Sequence, residues 1–535
     1  MIGSSFARAA ALLAAAALLY GVGLGERGLV SEEFRWAEIA REMRATGDYV
    51  HPTINGHLYY DKPLGSYWLI VAASFLTGGV SEGTARLPAA FFGVVGVGLA
   101  VLLARKLYDA RTALVTGAVL ATCFGFAFYA RRATADIETT TGVLAAIALF
   151  VRHEDRRPGA WVLGLWLVMG ATSQTKGLLG FALPVLVLGT YGTWTGFVER
   201  RGFFDGNRWF FNAYTLGAVP LGLAVFLAPF LMSSWQSGAT DGLGMVYREN
   251  VKRFFAPHNH TGPVYLYAGV IFVLAAPWAF FLPAALAPGG GGRSRRLALA
   301  YFGALFAFFT ISASRRSYYL LPVLPAVALL VGPVLASDSL RPWAARLRAA
   351  AYALLKVGAV ASGALLLPPA WVLPAPYDQL PPLPLRGLFA AGWAASMAWL
   401  GFGRTLPASL GVVALGLAYL FLVALPHADA YRTRQGFAAE VRSVVDPEAL
   451  ALFRARDVVF DLNFARPLPD YDAAEELEAA VRAGQVRWLV VRKRYLPRVG
   501  VPGRIVREEA ANPWEGLDQL GDKMLLLDLS PPRGD

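Results

Sequence analysis

From the N-terminus to about residue 425 the chain alternates long apolar runs with short polar connections. Thirteen runs, near 7–24, 84–104, 112–130, 137–151, 160–173, 177–195, 212–232, 264–286, 297–312, 318–336, 349–368, 385–402 and 407–425, predict membrane-crossing helices. Helices are the spans that fit, because barrel strands would be shorter and would alternate apolar with polar positions. From about residue 430 the pattern changes. "DVVFDL" (457–462), "VRWLVVR" (486–492) and "KMLLLDL" (523–529) predict strands, and a polar stretch near 473–484 predicts a helix. The expected architecture is an all-α polytopic membrane domain over residues 1–430, with interfacial helices in its outer loops, followed by a small α/β domain over 431–535.

Composition supports the membrane reading: mean hydropathy is +0.46 and 16% of residues are charged, against about 25% in soluble domains. The formal net charge of +12 does not point to nucleic acid, because the basic residues are scattered among short loops without a recognition motif. Topology accounts for them better. With the N-terminus inside, Arg105, Lys106 and Arg111, then Arg152, Arg156 and Arg157, then Arg200, Arg201 and Arg208, then Arg293, Arg295 and Arg296, and finally Arg341, Arg346 and Arg348 fall on the inner side. An odd number of spans then delivers the C-terminal domain outside. The single cysteine, Cys123, excludes an intrachain disulfide or a Cys-rich zinc site. No A-x-A-type cleavage site follows the first apolar run, so it is read as a retained anchor. "GGGG" (289–292) lacks the following Lys-Ser/Thr and the preceding strand of a nucleotide loop and reads as an inner linker.

Topology leaves a set of outer charges unexplained. "SEEFRWAEIAREM" (31–43) predicts a helix capped by Ser31 and ended by Gly47, with Glu32 and Glu33 in its first turn. Two readings stay open: solvated surface charge on an interfacial helix, or catalytic carboxylates. The loop continues to Tyr59, Tyr60, Asp61 and Lys62, whose aromatics suit a membrane interface. A second turn sets Arg131 and Arg132 before Asp136, for which an ion pair with Arg132 is one expectation. A third ends at Lys176, where snorkelling to the interface is the alternative. The loop 233–263 contributes Arg248, Lys252, Arg253, His258 and His260, and "SASRRSYYLLP" (312–322) contributes Arg315, Arg316, Tyr318 and Tyr319. Acids, cations and aromatics thus converge on one membrane face, a pattern suited to an amphiphile with an anionic head.

The order of these motifs resembles the large bacterial GT-C membrane glycosyltransferases, namely the aminoarabinose transferases of lipid A and the protein mannosyltransferase-like group. Their first outer loop reads approximately Asp-Glu-x-Arg-Tyr-Ala-Glu-Ile-x-Arg-Glu-Met, then Gly-Asp-Trp, Asn-Gly and Tyr-Phe-Glu-Lys-Pro. Here it reads Glu32 to Met43, Gly47-Asp48-Tyr49, Asn55-Gly56 and Tyr59-Tyr60-Asp61-Lys62-Pro63. "ARLPAA" (85–90), the Arg131 to Asp136 turn, Lys176-Gly177 and "YYLLP" extend the likeness over roughly residues 1–335. The resemblance implies an inverting transferase at the outer face of the inner membrane, moving a sugar from a polyprenyl phosphate to an acceptor lipid, protein or glycan. It implies Glu32, Glu33 and Asp136 as catalytic carboxylates, with Glu32 at the position where relatives carry Asp. Lys62, Arg131, Lys176, Arg253, His260, Arg315, Tyr318 and Tyr319 would hold the donor phosphate, and Arg35, Trp36, Tyr59 and Tyr60 would line the sugar and acceptor cavity. No cofactor is required; Asp61, in place of the usual Glu, is the one candidate for a divalent metal. The rival reading is a polyprenyl-lipid flippase, which would be expected to carry midplane ionisable residues and repeated halves; the sequence displays neither.

Overall fold

The structure is a computed structural model that describes residues 2–238, 241–247, 262–287, 292–364, 383–401, 405–429, 433–464, 467–509 and 523–530. Arg248, Lys252, Arg253, His258 and His260, and most of "GGGG", lie outside the described residues.

Helices occupy the apolar runs. The first nine α-helices used below are α1 (Ile2–Gly21), α2 (Glu33–Thr46), α3 (Gly65–Thr77), α4 (Glu82–Leu107), α5 (Ala110–Thr122), α6 (Phe124–Tyr129), α7 (Asp136–His153), α8 (Ala160–Lys176) and α9 (Leu179–Val198). Among the described residues six helices are long and apolar enough to cross a membrane, and seven if the pair Leu266–Leu274 and Trp278–Leu286, bent by 112°, counts as one span. Fewer helices pass on length and apolarity than the thirteen runs expected, α8 having 17 residues and α7 carrying Asp136, Glu138 and Arg152. The run 112–130 breaks at Cys123, whose extended backbone separates α5 from α6, and 264–286 is the bent pair.

The first spans fit tightly because small residues line their contacts. A Cβ at Gly93 of α4 would stand 2.8 Å from the Ala130 side chain, and one at Gly96 would stand 2.8 Å from Thr141 Oγ1 of α7. Ser81 caps α4 by accepting from Thr84 N.

The C-terminal domain is a five-stranded sheet of order β4-β3-β5-β7-β6, and a separate two-stranded hairpin sits in the first loop. The hairpin strands are β1 (Thr53–Ile54) and β2 (His57–Leu58); the sheet strands are β3 (Leu450–Phe453), β4 (Asp470–Tyr471), β5 (Trp488–Arg492), β6 (Arg504–Glu508) and β7 (Met524–Asp528). β3 runs parallel to β4 and β5, whereas β7 is antiparallel to β5 and β6. The helix expected near 473–484 is Ala474–Arg482. The expected strand at 457–462 is instead a 3-10 turn followed by the helix Val459–Leu462. Val458, Val459 and Leu462 lie at helical spacing and bury one face against the sheet, a solution that so short an apolar run does not distinguish from a strand.

This domain docks on the first loop. Phe460 is buried in one cluster with Trp36, Ile39 and Met43 of α2, and Arg41 Nη1 donates to Asn463 Oδ1 at 2.7 Å. Asn55 and Leu468 exchange two buried hydrogen bonds of 2.8 Å. Gln435 Nε2 donates to Glu82 at 2.6 Å, and just before the domain Asp429 forms a buried pair with Arg27 at 2.5 and 3.1 Å.

Candidate functional site

The first turn of α2 separates its two glutamates. Ser31 does not cap the helix: it takes a left-handed backbone, φ 57°, and Glu32 is the N-cap residue without spending its side chain there. Successive residues at a helix start point about 100° apart, so Glu33 enters the protein while Glu32 stays at its edge. The C-terminal end is as expected, with Gly47 left-handed at φ 73° and its N–H on Met43 O.

Glu33 is 2% exposed and saturated with donors. Its Oε1 accepts from Arg86 Nε and Ala133 N, each at 2.9 Å, and its Oε2 from Arg86 Nη2 and Val30 N, each at 3.0 Å. Arg86 uses its remaining N–H groups on the carbonyls of Leu24, Arg27 and Gly28, so all five are bonded. Burial alone would raise the Glu33 pKa, but Arg86, Arg132 and these hydrogen bonds outweigh it and hold the carboxyl down to about 2. Glu33 is a brace.

The Glu32 side chain is 35% exposed and lies between two guanidinium groups, Arg35 Nη2 at 2.9 Å and Arg316 Nη1 at 3.0 Å. Arg35 extends the cluster by donating from Nη1 to Tyr59 OH at 2.7 Å and to Asp61 Oδ2 at 3.0 Å. Lys62 Nζ lies 3.1 Å from the same carboxylate oxygen. On the other side the Arg316 guanidinium stands 5.7 Å from the Tyr318 ring centre. Lys176 Nζ sits over Tyr318 and Tyr319 at 4.9 and 5.1 Å and is paired with Asp136. These residues come from α2, the first loop, the start of α7, the end of α8 and the 3-10 helix Ser317–Val323. A small cavity of about 10 Å³ lies beside the lysine, walled by Asp136, Tyr318, Leu179, Leu183, Phe309 and Pro322 among others. A void of about 520 Å³ beside Asp109, Arg295 and Trp343 lies at the other end of the bundle. There Asp109 caps α5 and Arg295 caps carbonyls of residues 285–287, so both charges are engaged structurally.

The structure therefore brings together Glu32, Arg35, Tyr59, Asp61, Lys62, Asp136, Lys176, Tyr318 and Tyr319. It sets others apart. Arg131 is 3% exposed and donates to the carbonyls of Leu19 and Val22, and Arg315 donates to those of Gly262 and Thr310. Both tie loops to helix ends. Trp36 is buried against Tyr67, ring centres 4.8 Å apart, and Tyr60 turns toward Ser233 and Val50 O. The ion pair of Asp136 is with Lys176, whereas Arg132 faces Glu33 at 3.7 Å and Val30 O at 2.8 Å. Glu38 is 1% exposed beside Arg41, and burial pushes its pKa up to about 7. Glu42 receives the backbone N–H groups of Asn55 and Gly56, fixing the Asn-Gly turn, whose residues both have positive φ.

A divalent ion at Asp61 does not fit the described residues. The carboxylate already faces Arg35 and Lys62, and among the described residues no three His, Cys, Asp or Glu side chains come together. Sequence reasoning misses Arg86 as a single residue, and it names Arg316 as a candidate without a role distinct from that of Arg315. Arg86 had a signal, a lone guanidinium at the start of an apolar run. Arg316 stood next to Arg315, and only the fold separates their roles.

Residues 13–237 match the family described as dolichyl-phosphate-mannose-protein mannosyltransferase. The chain is 30% identical over 334 residues to undecaprenyl phosphate-alpha-4-amino-4-deoxy-L-arabinose arabinosyl transferase 1 of Pseudomonas fluorescens (strain Pf0-1), which covers 60% of this chain and 56% of that one. To the corresponding protein of Pseudomonas aeruginosa (strain LESB58) it is 32% identical over 337 residues, 61% and 59% of the two chains. The chain thus spans a little over half the length of the curated relatives it matches. The fold matches ArnT from Cupriavidus metallidurans, with TM-score 0.71 to the form bound to undecaprenyl phosphate, covering 98% of this chain and 99% of that one at 24% identity. The apo form gives 0.73, covering 98% of each chain, also at 24% identity. Over its first part the chain is thus similar in sequence to these transferases, and over nearly its whole length it shares the fold of the ArnT structures.

Proposed function

We propose that the protein is an inverting glycosyltransferase that moves a sugar from a polyprenyl phosphate to an acceptor glycolipid, protein or glycan, with Glu32 as the base. The observation that carries this reading is the division of labour in the first turn of α2: Glu33 is saturated by buried donors, while Glu32 meets two arginine side chains at a part-exposed edge. The names of the similar proteins support the donor class. The site is assigned to the outer face of the inner membrane; the opposite end, where Lys106 and Arg293 meet Asp155 and Arg111 meets Asp338, carries the basic clusters expected inside.

In the reaction the acceptor oxygen attacks the anomeric carbon opposite the lipid phosphate. Its proton passes to the Glu32 carboxylate, the anomeric carbon–oxygen bond breaks, and the polyprenyl phosphate leaves as a dianion. Lys62 and Lys176 suit the stabilisation of that developing charge without proton transfer, and Arg35 and Arg316 orient the base. Tyr318 and Tyr319 wall the lysine off beside the small cavity.

The test is transfer by purified protein in lipid, using labelled polyprenyl-phosphate sugars and candidate acceptors. Wild type should consume donor, Glu32→Gln should lose about 10²-fold or more, and Lys62→Ala should slow the step. Full activity in Glu32→Gln would remove it as the base. Donor that crosses the bilayer without being consumed would replace the transferase with a flippase.

A further inference from the structure

The outgoing chain divides at one point of the C-terminal sheet. β3 lies between β4 and β5 and is parallel to both. After β3 the chain passes to the face where Val458, Val459 and Leu462 pack with Leu450 and Leu452. After β5 it passes to the opposite face, where Tyr495, Leu496 and Val499 pack with Phe453 and Val491. When neighbouring parallel strands send their connections to opposite faces, a crevice opens beyond their carboxyl ends, and open α/β sheets bind ligands there.

Beyond β3 and β5 this edge gathers arginines around one tyrosine, with Asp472 beside Arg454 at the end of β4. Arg454 follows β3 directly and holds a left-handed backbone, φ 51°, a conformation that is strained for a non-glycine residue and gathers at ligand-binding positions. The turn after β5, Lys493–Arg498, supplies Tyr495 and two more arginines. Three guanidinium groups address that one ring: Arg494 at 4.8 Å from its centre, Arg454 at 5.3 Å and Arg498 at 5.9 Å. Each contact is favourable by itself, and Arg454 also donates from Nε to the carbonyl of Asp472 at 2.9 Å, which holds its guanidinium at this edge. Guanidinium forks match phosphate and carboxylate geometry, and a tyrosine face offers a platform for a sugar ring.

We propose that this edge binds an anionic saccharide, its phosphate or carboxylate held by Arg454, Arg494 and Arg498 and its ring lying against Tyr495. The binding goes beyond the transferase reading. Only its use, to hold the charged head of an acceptor near the first loop, rests on that reading; His57 of the loop lies 3.7 Å from Asp470 of the adjacent strand.

The experiment is calorimetric titration of the full chain in zwitterionic nanodiscs with glucose 6-phosphate, glucuronate and glucose. A sugar phosphate could also enter the site around Glu32, so the same titrations are made on Lys62→Ala. Saturable binding of glucose 6-phosphate and glucuronate is expected in wild type and in Lys62→Ala, with none for glucose. Arg454→Ala/Arg498→Ala should weaken it about tenfold or more, with thermal unfolding checking that the variant is folded and exposed Arg498→Glu alone as the gentler substitute. Unchanged affinity in both arginine variants, equal binding of glucose, or complete loss in Lys62→Ala would each overturn the proposal. Arginine-dependent binding in a protein that transfers no sugar would overturn the transferase and leave this site standing.

Discussion

Glu32 and Glu33 are neighbours in sequence and sit in clusters of the same parts, a carboxylate facing arginines, yet the clusters have opposite character. Around Glu33 the donors are buried, fixed by backbone or by a fully bonded Arg86, and inaccessible to a ligand. Around Glu32 the partners are two long side chains at an edge, one from its own helix and one from residue 316. Chemistry therefore depends less on which acid is present than on whether its lone pairs are committed. A carboxylate filled by rigid donors is architecture; one shared by movable cations can trade a partner for substrate.

The largest expected effect that sharpens this contrast is on stability. Glu33→Ala leaves Arg86 charged and buried without its partner, which should destabilise the protein by about 3–5 kcal/mol. Glu32→Ala, at a half-open pair, should remain within about 1 kcal/mol. Unfolding in detergent reads both, and equal losses would break the distinction.

Acid titration separates the pair next. Because the Glu33 carboxyl is held at about 2 in the fold against 4.5 in the free side chain, its stabilisation is complete above about pH 4.5 and lost as pH falls toward 2. Thermal unfolding of wild type should therefore decline over that window, and the decline should flatten in Glu33→Gln.

At the docking surface, Asn55→Ala strands the backbone groups of Leu468 and should cost about 1–3 kcal/mol, seen as faster proteolysis of the segment after Asn463 while the helices stay folded. The smallest effect belongs to Glu38. Its folded pKa, about 7, lies above the ordinary 4.5, so folding takes up a proton between those values and stability falls as pH rises through them. Glu38→Gln should match wild type at pH 4 and equal or exceed it at pH 8. A variant weaker than wild type at pH 8 would show that the Arg41 pair dominates.

Much of this was legible in the sequence because the membrane imposes strong patterns: apolar runs located the helices, and leftover charges located the site. Roles within the site were less legible. Arg131 and Arg315 look like phosphate ligands as sequence, but a guanidinium also satisfies carbonyls at helix ends, and only the fold shows that Leu19, Val22, Gly262 and Thr310 need them. Trp36 was expected at the cavity through the resemblance, yet it lies on the face covered by Tyr67 and Phe460. The strand expected at 457–462 became a helix, while β3 and β6 were too short or too polar to be recognised.

The buried contacts between the first loop and the chain from Asp429 onward have a consequence in time. Arg27 and Asp429 lie 402 positions apart, and Asn55 and Leu468 lie 413 apart. At roughly 5–20 residues per second of synthesis, the loop that carries Glu32 waits about 20–80 seconds after its own emergence for the partners that hold it. The earliest part of the proposed catalytic apparatus to be made is thus among the last to be completed, and a ribosome that stops short leaves a membrane protein whose spans are in place but whose site is unfinished.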